Sequence, residues 1–362
     1  MEKAYKYRIY PNKKQKELLS KTFGCCRFVY NHYLNRRVVL YKEKNKSLTY
    51  NQNSKDLTSL KKELTWLKEV DSTALQSSLK DLDVAYQKFF KEHSGFPKFK
   101  SKRTYRYSYK SKVVGKNIQY NVKYIKLPKL GWVKTRSKLE PQGRILNATV
   151  SQEPSGRFYV SLCCTDVETE PLEDTNKVTG IDLGLKDFAI LSDGSKISNP
   201  KYLQKSLKKL AKLQKELSRK TKGGSNYNKA RIKVSRMHEH VSNQRKDFLQ
   251  KLTTELIRQY DVICIEDLQV KNMVKNRKLA KSISDVSWSE FTRQLQYKCE
   301  LNGIEFVEAD KWYPSSKICS KCGHIKPKLS LSVRTYICEE CGCVIDRDYN
   351  ASINLSRYQL VV

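Results

Sequence analysis

Apolar positions along the first quarter of the chain change from a strand period to a helical period. Residues 3–10 alternate loosely and predict a strand that ends at Pro11. Residues 12–92 then follow a helical period, and Ser72 is the predicted N-cap of the last helix in this stretch. The apolar positions group as Leu18, Leu19 and Phe23 for a first helix, Val29, Tyr30, Tyr33 and Leu34 for a second, Leu57, Leu60 and Leu64 for a third, and Leu75, Leu79, Leu82, Tyr86 and Phe89 for a fourth.

Strand periodicity returns after residue 95, and glycines mark the turns between the alternating stretches. These stretches are residues 118–127, 145–153 and 157–165. Together with the first strand they predict a small β-barrel domain made of residues 1–11 and 96–175, with residues 12–95 as a helical insert. An acidic and polar segment at 168–176 is the predicted domain boundary.

The second half of the chain alternates strands and helices in the order of a ribonuclease-H-like α/β fold. Two short apolar strands flank a tight turn around Gly184, and a long helical hairpin follows at 201–257. The next elements are a strand at 262–266, a helix from Trp288 to Cys299, a strand at 304–307 and a last helix from Asp348 to about Tyr358. This order predicts a nuclease-type domain made of residues 176–313 and 344–362.

Three acidic residues stand at the ends of these elements. Asp182 ends the first strand, Glu266 ends a later strand, and Asp348 opens the last helix. Crowded carboxylates repel one another unless cations neutralise them, and Mg²⁺ prefers oxygen ligands. We therefore expect all three to be the catalytic ligands of two Mg²⁺ or Mn²⁺ ions that hydrolyse a phosphodiester, with Asp182 bridging. Asp346 competes with Asp348, but Asp346 could instead cap the helix or pair with Arg347.

Four of the 11 cysteines have metal-ligand spacing. Cys319 and Cys322 form one pair and Cys338 and Cys341 another, and each pair is followed by glycine. This spacing predicts a zinc ribbon at 314–343 that holds one structural Zn²⁺. Cys343 and His324 are spare candidates for a ligand. We expect the remaining cysteines to be small buried side chains in a protein of a reducing, cytoplasmic setting. These cysteines are Cys25, Cys26, Cys163, Cys164, Cys264 and Cys299.

Charge makes nucleic acid the expected partner. The chain has 362 residues with 71 Lys and Arg against 37 Asp and Glu, a net charge of +34, which a polyanion would neutralise. Residues 96–138 carry 14 basic residues, no acid and several tyrosines, and residues 201–251 carry 16 basic residues against 3 acids. Basic groups contact phosphates and aromatic rings stack on bases. No membrane span or apolar leader is expected, because no apolar run approaches about 20 residues.

Taken together, these motifs resemble the TnpB family of RNA-guided DNA endonucleases of bacterial insertion sequences, which are related to type V CRISPR effectors. The resemblance runs through nearly the whole chain and includes the segments 7–11, 27–31, 74–82, 95–100, 180–184, 243–248, 265–268, 346–351 and both cysteine pairs.

The resemblance implies a wedge-type barrel, a helical recognition domain, a RuvC nuclease domain and a zinc-containing module that binds the target. It also implies a guide RNA from the end of the mobile element, a double-stranded DNA target beside a short motif read by the protein, and a monomer associated with the bacterial nucleoid. The expected nucleic-acid contacts are Tyr50, Gln76, Lys80, Lys98, Lys100, Arg103, Arg106, Arg245 and Arg277.

Three rival functions remain open at this point. A miniature type V CRISPR effector would use the same chemistry, and only neighbouring DNA separates it from a transposon protein. An RNA-guided repressor would bind without cutting, although the three acids are intact. A strand-transferring transposase shares the ribonuclease-H-like fold class, but the full-length resemblance favours hydrolysis.

Overall fold

The computed structural model describes residues 1–103, 107–137, 139–168, 172–330 and 332–358. The chain divides into two compact units, Met1–Glu168 and Thr169–Val362. The division falls at the start of the acidic, polar segment that the sequence marks as a boundary. The fold class is mixed α/β, and no helix in the described ranges is both long and apolar enough for a membrane span.

The first unit combines three helices with one antiparallel sheet. Its helices are α1 (Lys13–Lys44), α2 (Tyr50–Glu63) and α3 (Ser72–Lys91), with a short 3-10 helix at Thr65–Lys68. Its strands are β1 (Lys3–Tyr10), β2 (Ser108–Lys112), β3 (Gln119–Asn121), β4 (Tyr124–Leu127), β5 (Gly131–Thr135), β6 (Arg144–Gln152) and β7 (Phe158–Thr165). The strand order is β2-β6-β7-β1-β5-β4-β3, and every neighbouring pair is antiparallel.

The prediction of two helices between residues 12 and 44 is wrong, because α1 is continuous. One buried stripe runs through it without a phase break, at Leu19, Phe23, Cys26, Tyr30, Tyr33 and Leu34. A capping box starts the helix, since Asn12 accepts a hydrogen bond from the Gln15 N–H and the Gln15 side chain accepts one from the Asn12 N–H. Gly24 lies inside the helix, where its cost of about 1 kcal/mol is too small to end so long a stripe.

Two other local predictions for this unit need correction. The N-cap of α3 is Asp71 rather than Ser72, since the Asp71 carboxylate accepts the Thr73 N–H at 3.1 Å and the Ser111 hydroxyl at 2.6 Å. Residues 118–127 form the β3–β4 hairpin rather than one strand. Strands β2 and β5 were not predicted. In β2 the buried pair Tyr109 and Ser111 includes a polar residue, and in β5 the exposed Trp132 obscures the buried alternation of Val133 with Thr135.

The second unit is built on a five-stranded mixed sheet. Its strands are β8 (Val178–Leu183), β9 (Asp187–Leu191), β10 (Lys196–Ser198), β11 (Val262–Glu266) and β12 (Glu305–Ala309), in the order β10-β9-β8-β11-β12. The central strands β8, β11 and β12 are parallel, and β9 and β10 are antiparallel additions. Its helices are α4 (Tyr202–Ser218), α5 (Ser225–Gln259), α6 (Val270–Met273), α7 (Ala280–Val286), α8 (Trp288–Asn302) and α9 (Arg347–Tyr358).

The two faces of this sheet carry different helices. Side chains alternate along a strand, so Ile181, Leu183, Ile263 and Ile265 point to one face, where they pack with apolar residues of α5 and α8. Cys264 and Ala309 point to the other face, where they pack with Leu355 of α9. The helical hairpin and the strands β8, β9, β11 and β12 were predicted. The strand β10, of three residues, and the helices α6 and α7, of at most two turns, were not, because each is too short to show its own periodicity.

A close backbone contact fixes α9 on the sheet. A Cβ atom added at Gly180 would lie 2.1 Å from the Ser352 carbonyl oxygen and 2.2 Å from the Ser356 nitrogen. Only glycine therefore allows the helix to approach β8 this closely. Gly180 and Asp182 are two residues apart on β8, so both face α9.

Candidate active site and zinc module

The sheet register brings Asp182 and Glu266 side by side. Ile181 of β8 is paired with Ile265 of β11 in a parallel ladder, and each acid is the next residue on its strand. Neighbouring strands lie about 4.8 Å apart. Both side chains therefore project from adjacent strand ends, as expected, and they do so on the face of the sheet that α9 covers.

Asp348 reaches the same place from the first turn of α9. Burial, together with the negative charges of Glu266 and Asp348, raises the pKa of the Asp182 carboxyl well above its usual value, and Arg347 opposes that rise. The structure therefore brings the three predicted acids into one electrostatically coupled group. Among the described residues, the four cysteines are the one group of three or more such side chains whose ligand atoms all lie within 4.8 Å of one another, so at least one pair of the three carboxylates is farther apart.

The structure gives Asp346 a different role from Asp348. The Asp346 carboxylate accepts the backbone N–H groups of Asp348 and Tyr349 at 3.0 and 3.1 Å, so it caps α9. Lys196 donates to the same carboxylate at 3.3 Å. Burial opposes ionisation here, but the backbone N–H of Tyr349 and the charge of Lys196 lower the pKa of Asp346. The capping alternative is thus confirmed, whereas Arg347 pairs with Asp348 instead.

Three residues that were not predicted to contact the three acids do so directly. The Ser315 hydroxyl donates to Glu266 Oε1 at 2.6 Å. The Arg347 guanidinium donates to Asp348 Oδ1 at 2.8 Å, and Arg334 lies 3.5 Å from Asp348 Oδ2. Arg347 could have been noticed beside Asp348, but Ser315 and Arg334 are distant in sequence from their partners and have no local signal.

These acids suit hard divalent cations. Carboxylate oxygens are the ligands that Mg²⁺ takes in proteins. Burial and then the charges of Glu266 and Asp348 raise the pKa of Asp182, and a bound divalent cation would favour the ionised carboxylate against both effects. The guanidiniums at Asp348 supply part of that neutralising charge. The donor set therefore fits Mg²⁺ or Mn²⁺.

The four predicted cysteines form a cluster that fits zinc. The sulfur atoms of Cys319 and Cys341 are 3.7 Å apart, and those of Cys322 and Cys338 are 3.6 Å apart. Tetrahedral Zn–S bonds of about 2.3 Å require sulfur atoms about 3.8 Å apart. Burial opposes ionisation of Cys319, but hydrogen bonds from the backbone N–H groups of Cys322 and Lys321 lower its pKa to about 6.

The backbone around this cluster has the form of two knuckles. The Cys319 N–H donates to the His324 carbonyl, and the Cys338 N–H donates to the Cys343 carbonyl, each at 2.8 Å. Gly323 and Gly342 have φ of +78° and +67°, which explains the glycine after each pair. The remaining cysteine prediction holds for Cys25, Cys26, Cys164, Cys264 and Cys299, which are buried, whereas Cys163 is half-buried.

Hydrogen bonds join the first knuckle to α9. The Asn350 side chain accepts the Ser320 N–H at 2.9 Å and donates to the Ile318 carbonyl at 2.7 Å. The Asn354 side chain donates to the carbonyl oxygens of Ser315 and Ile318 at 2.7 Å. Arg357 also donates to the Ser320 carbonyl. The zinc module is therefore tied to the helix that carries Asp348 and to the segment that carries Ser315.

Three of the expected nucleic-acid contacts lie together on the first unit. The Lys80 ammonium lies 5.3 Å from the centre of the Tyr50 ring and 2.9 Å from the Asp83 carboxylate. Gln76 is exposed one helical turn before Lys80 on α3. An ammonium group, an amide and an aromatic ring therefore lie on one surface. Their contact with nucleic acid remains a prediction.

The other expected contacts are scattered. Lys98, Arg103 and Arg277 are exposed. Lys100 is half-buried with its ammonium 3.7 Å from the centre of the Tyr30 ring, and burial lowers its pKa. Arg245 is half-buried and forms an ion pair with Asp285 at 3.1 Å. Arg106 lies outside the described residues.

Three family models match parts of the chain. Residues 161–277 match the OrfB_IS605 model, described as "Probable transposase", residues 288–355 match the Cas12f1-like TNB domain, and residues 1–46 match a helix-turn-helix domain. In the structure the last of these segments is β1 followed by the single helix α1.

Two relatives cover nearly all of the chain. A Streptomyces pristinaespiralis protein named "Putative RNA-guided DNA endonuclease" is 42% identical over 98% of this chain and 89% of its own length. An Escherichia coli K12 protein named "Putative RNA-guided DNA endonuclease InsQ" is 34% identical over 97% of this chain and 91% of its own length. The protein in a cryo-EM structure of a Cas12f1-sgRNA-target DNA complex aligns over 99% of this chain and 100% of its own, with 16% identity and a TM-score of 0.38.

Proposed function

Because the chain belongs to the TnpB family, the family of the OrfB_IS605 model, we propose that it is an RNA-guided, Mg²⁺-dependent DNA endonuclease encoded by a mobile element. Its guide RNA would pair with double-stranded target DNA beside a short motif read by the protein. The convergence of Asp182, Glu266 and Asp348 at one edge of the second unit's sheet supports this proposal most directly.

We assign the domains of this proposal to the sequence ranges expected above. The sheet of the first unit lies within the proposed wedge domain (1–11 and 96–175), and the helices of that unit lie within the proposed recognition domain (12–95). The second unit comprises a RuvC-like domain (176–313 and 344–362) and the target-binding zinc module (314–343). The protein would act as a monomer in the bacterial cytoplasm, on DNA of the nucleoid.

In this mechanism Asp182, Glu266 and Asp348 would hold Mg²⁺, which would activate water and stabilise the leaving oxygen. The protein's own groups prepare that site. Ser315 orients the Glu266 carboxylate by its short hydrogen bond, and Arg347 holds Asp348 in place. Arg334 is largely exposed beside Asp348, so its guanidinium is available to a DNA phosphate.

A cleavage assay tests the proposal. The protein would be purified with its co-expressed RNA, that RNA sequenced, and the complex challenged with a plasmid library carrying the matching target, with Mg²⁺ or EDTA. We expect cutting that requires the guide match and Mg²⁺ and that Asp182→Ala abolishes. Asp346→Asn, beside Asp348 but assigned to capping, should retain cutting.

Other outcomes would assign the protein to a different class. Guide-matched binding without cutting would indicate a repressor, insertion of a DNA end into the target would indicate a transposase, and absence of bound RNA would contradict the proposal.

Metal analysis tests the zinc module separately. Cys322→Ser should lose the bound zinc, whereas Cys343→Ser, outside the four-sulfur cluster, should retain one ion per chain.

A further inference from the structure

Trp312 is an exposed aromatic side chain that the proposed cleavage chemistry does not use. It is 79% exposed, more than any other large hydrophobic side chain in the described ranges. Tryptophan normally buries most of its ring, so this exposure has a cost in water. The neighbouring Lys311 ammonium lies 4.8 Å from the ring centre.

The loop that carries Trp312 is held firmly on both sides. The Trp312 N–H donates to the Asp310 carboxylate at 2.8 Å, and the Tyr313 N–H donates to the Asp310 carbonyl at 2.8 Å. The Tyr313 hydroxyl donates to the Asn354 carbonyl of α9, and its ring packs 4.7 Å from that of Tyr358. The exposure of Trp312 is therefore a fixed feature of the loop.

This loop lies at the acidic edge of the sheet. It begins after Ala309, which is paired with Glu266 in the sheet, and it ends at Ser315, whose hydroxyl binds Glu266. Trp312 is three residues after Ala309 and three residues before Ser315. Consecutive Cα atoms are about 3.8 Å apart, so the Cα atom of Trp312 lies within about 11 Å of the Cα atoms of both residues.

We propose that Trp312 is a stacking platform for an unpaired base of the DNA strand that is cut at the acids; this rests on the proposed function. One exposed ring is far too small for a stable protein interface, which buries about 800 Å² on each partner, but it matches one nucleobase. Lys311 beside the ring can contact the phosphate that follows that base. Stacking on aromatic side chains tolerates any base, as a nuclease with interchangeable guides requires.

The test uses the complete complex of protein, guide RNA and target DNA. The fluorescent base 2-aminopurine, which is quenched by stacking, would replace single bases within three nucleotides of the cut. An Asp182→Ala background keeps the DNA intact. We expect quenching at one position, loss of that quenching with Trp312→Ala, and retention with Trp312→Phe.

Kinetics in the cutting-competent protein give a second measurement. Trp312→Ala should raise the KM for target DNA about 5- to 100-fold, with a smaller change in kcat, and Trp312→Phe should recover most of the loss. Tyr41→Ala, which removes a 60% exposed ring of α1, is the control and should leave KM unchanged.

The outcomes separate this proposal from the proposed function. An unchanged KM in Trp312→Ala, equal losses in Trp312→Ala and Trp312→Phe, or quenching at no position would each overturn the stacking role. Failure of the wild-type complex to cut would overturn the nuclease instead. The fluorescence comparison needs only guided binding. In that case no cut defines the probe positions, so 2-aminopurine placed in turn along the whole unpaired target strand would decide the stacking role.

Discussion

At the level of single residues, the contact between Ser315 and Glu266 has the clearest consequence for activity. Ser315 is 3% exposed, and its hydroxyl donates to a carboxylate that we assign to metal binding. Groups that orient a metal ligand typically contribute about 10- to 100-fold to metal affinity or activity. Ser315 therefore acts as a positioning residue in the proposed site.

We expect Ser315→Ala to weaken apparent Mg²⁺ affinity about 10-fold or more. The measurements are the Mg²⁺ dependence of cleavage and the Mg²⁺-induced rise in melting temperature. Ser315→Thr keeps the hydroxyl and should recover most of the affinity, while Ser316→Ala on the adjacent residue is the matched control. Equal effects of Ser315→Ala and Ser315→Thr would point to packing rather than to the hydrogen bond.

Lys298 gives a prediction about stability that is independent of the acids. Its buried ammonium on α8 donates to the Gln250 carbonyl and to the hydroxyls of Thr253 and Thr254 on α5. Burial lowers the pKa of Lys298 to about 8, from 10.5 in an exposed lysine. The unfolded chain therefore binds more protons at this residue between pH 8 and 10.5, and stability rises with pH across that window.

Lys298→Met should remove this pH dependence. We expect the variant to be more stable than wild type at pH 7, and its advantage to shrink by up to about 3 kcal/mol as the pH rises from 8 toward 10.5. Denaturant unfolding at several pH values measures the difference, in which the titration of all other groups cancels. A difference that stays constant with pH would contradict the lowered pKa.

At the level of elements, Gly180 determines whether α9 can lie on the sheet. Gly180→Ala should destabilise the protein by about 3 kcal/mol or more, because its Cβ would overlap backbone atoms that cannot move separately from α9. The displaced helix also carries Asp348, so cleavage should fall with stability. Thermal unfolding and cleavage measure the two effects.

A second glycine supplies the control for that substitution. Gly24 lies inside α1, and a Cβ added there would meet no heavy atom within 4 Å. Gly24→Ala should therefore stabilise the protein by about 0.5–1 kcal/mol through helix propensity. Destabilisation by both substitutions would argue against the close approach at Gly180 as the specific cause.

The sequence predicted elements well where one periodicity was long and unmixed. The strand at 3–10, the strand at 262–266 and the helical hairpin have the bounds of β1, β11, α4 and α5 within a few residues. Periodicity failed in β2, where the exposed positions are both lysines, and in β5, where the exposed Trp132 stands beside the buried Val133 and obscures the alternation. It also failed in α1, where the apolar positions at 18–23 and 29–34 were taken as two helices although the buried stripe continues between them.

The parts of the site that could be predicted are those whose residues stand in a recognisable local sequence pattern. Cysteine spacing identified the four-sulfur cluster, and strand ends identified Asp182 and Glu266. The roles of Ser315, Arg334 and Trp312 depend on a loop and a module that return to the acids after long separations in sequence. Hydrogen bonds of that kind leave no periodic pattern, so only the folded structure reveals them.

At the level of the whole molecule, the dominant quantity is the net charge of +34. Such a chain repels itself, and bound RNA should relieve that repulsion. The outer face of α4 contributes exposed lysines, among them Lys205, Lys208 and Lys212. We expect these side chains to lie against a phosphate backbone, as the charge of residues 201–251 suggests.

Reversing those three charges tests the expectation. The triple variant Lys205→Glu, Lys208→Glu and Lys212→Glu should weaken guide RNA or target binding and make the slope of log affinity against log salt shallower by about 2 to 3. A control variant with Lys42, Lys44 and Lys46 changed to Glu alters the net charge equally near the end of α1. Filter binding between 50 and 200 mM salt would measure both variants. A long-range electrostatic field depends on total charge, whereas phosphate contacts depend on the position of each lysine. Equal losses of affinity in the two triple variants would therefore mean that overall charge, rather than the α4 surface, binds the nucleic acid.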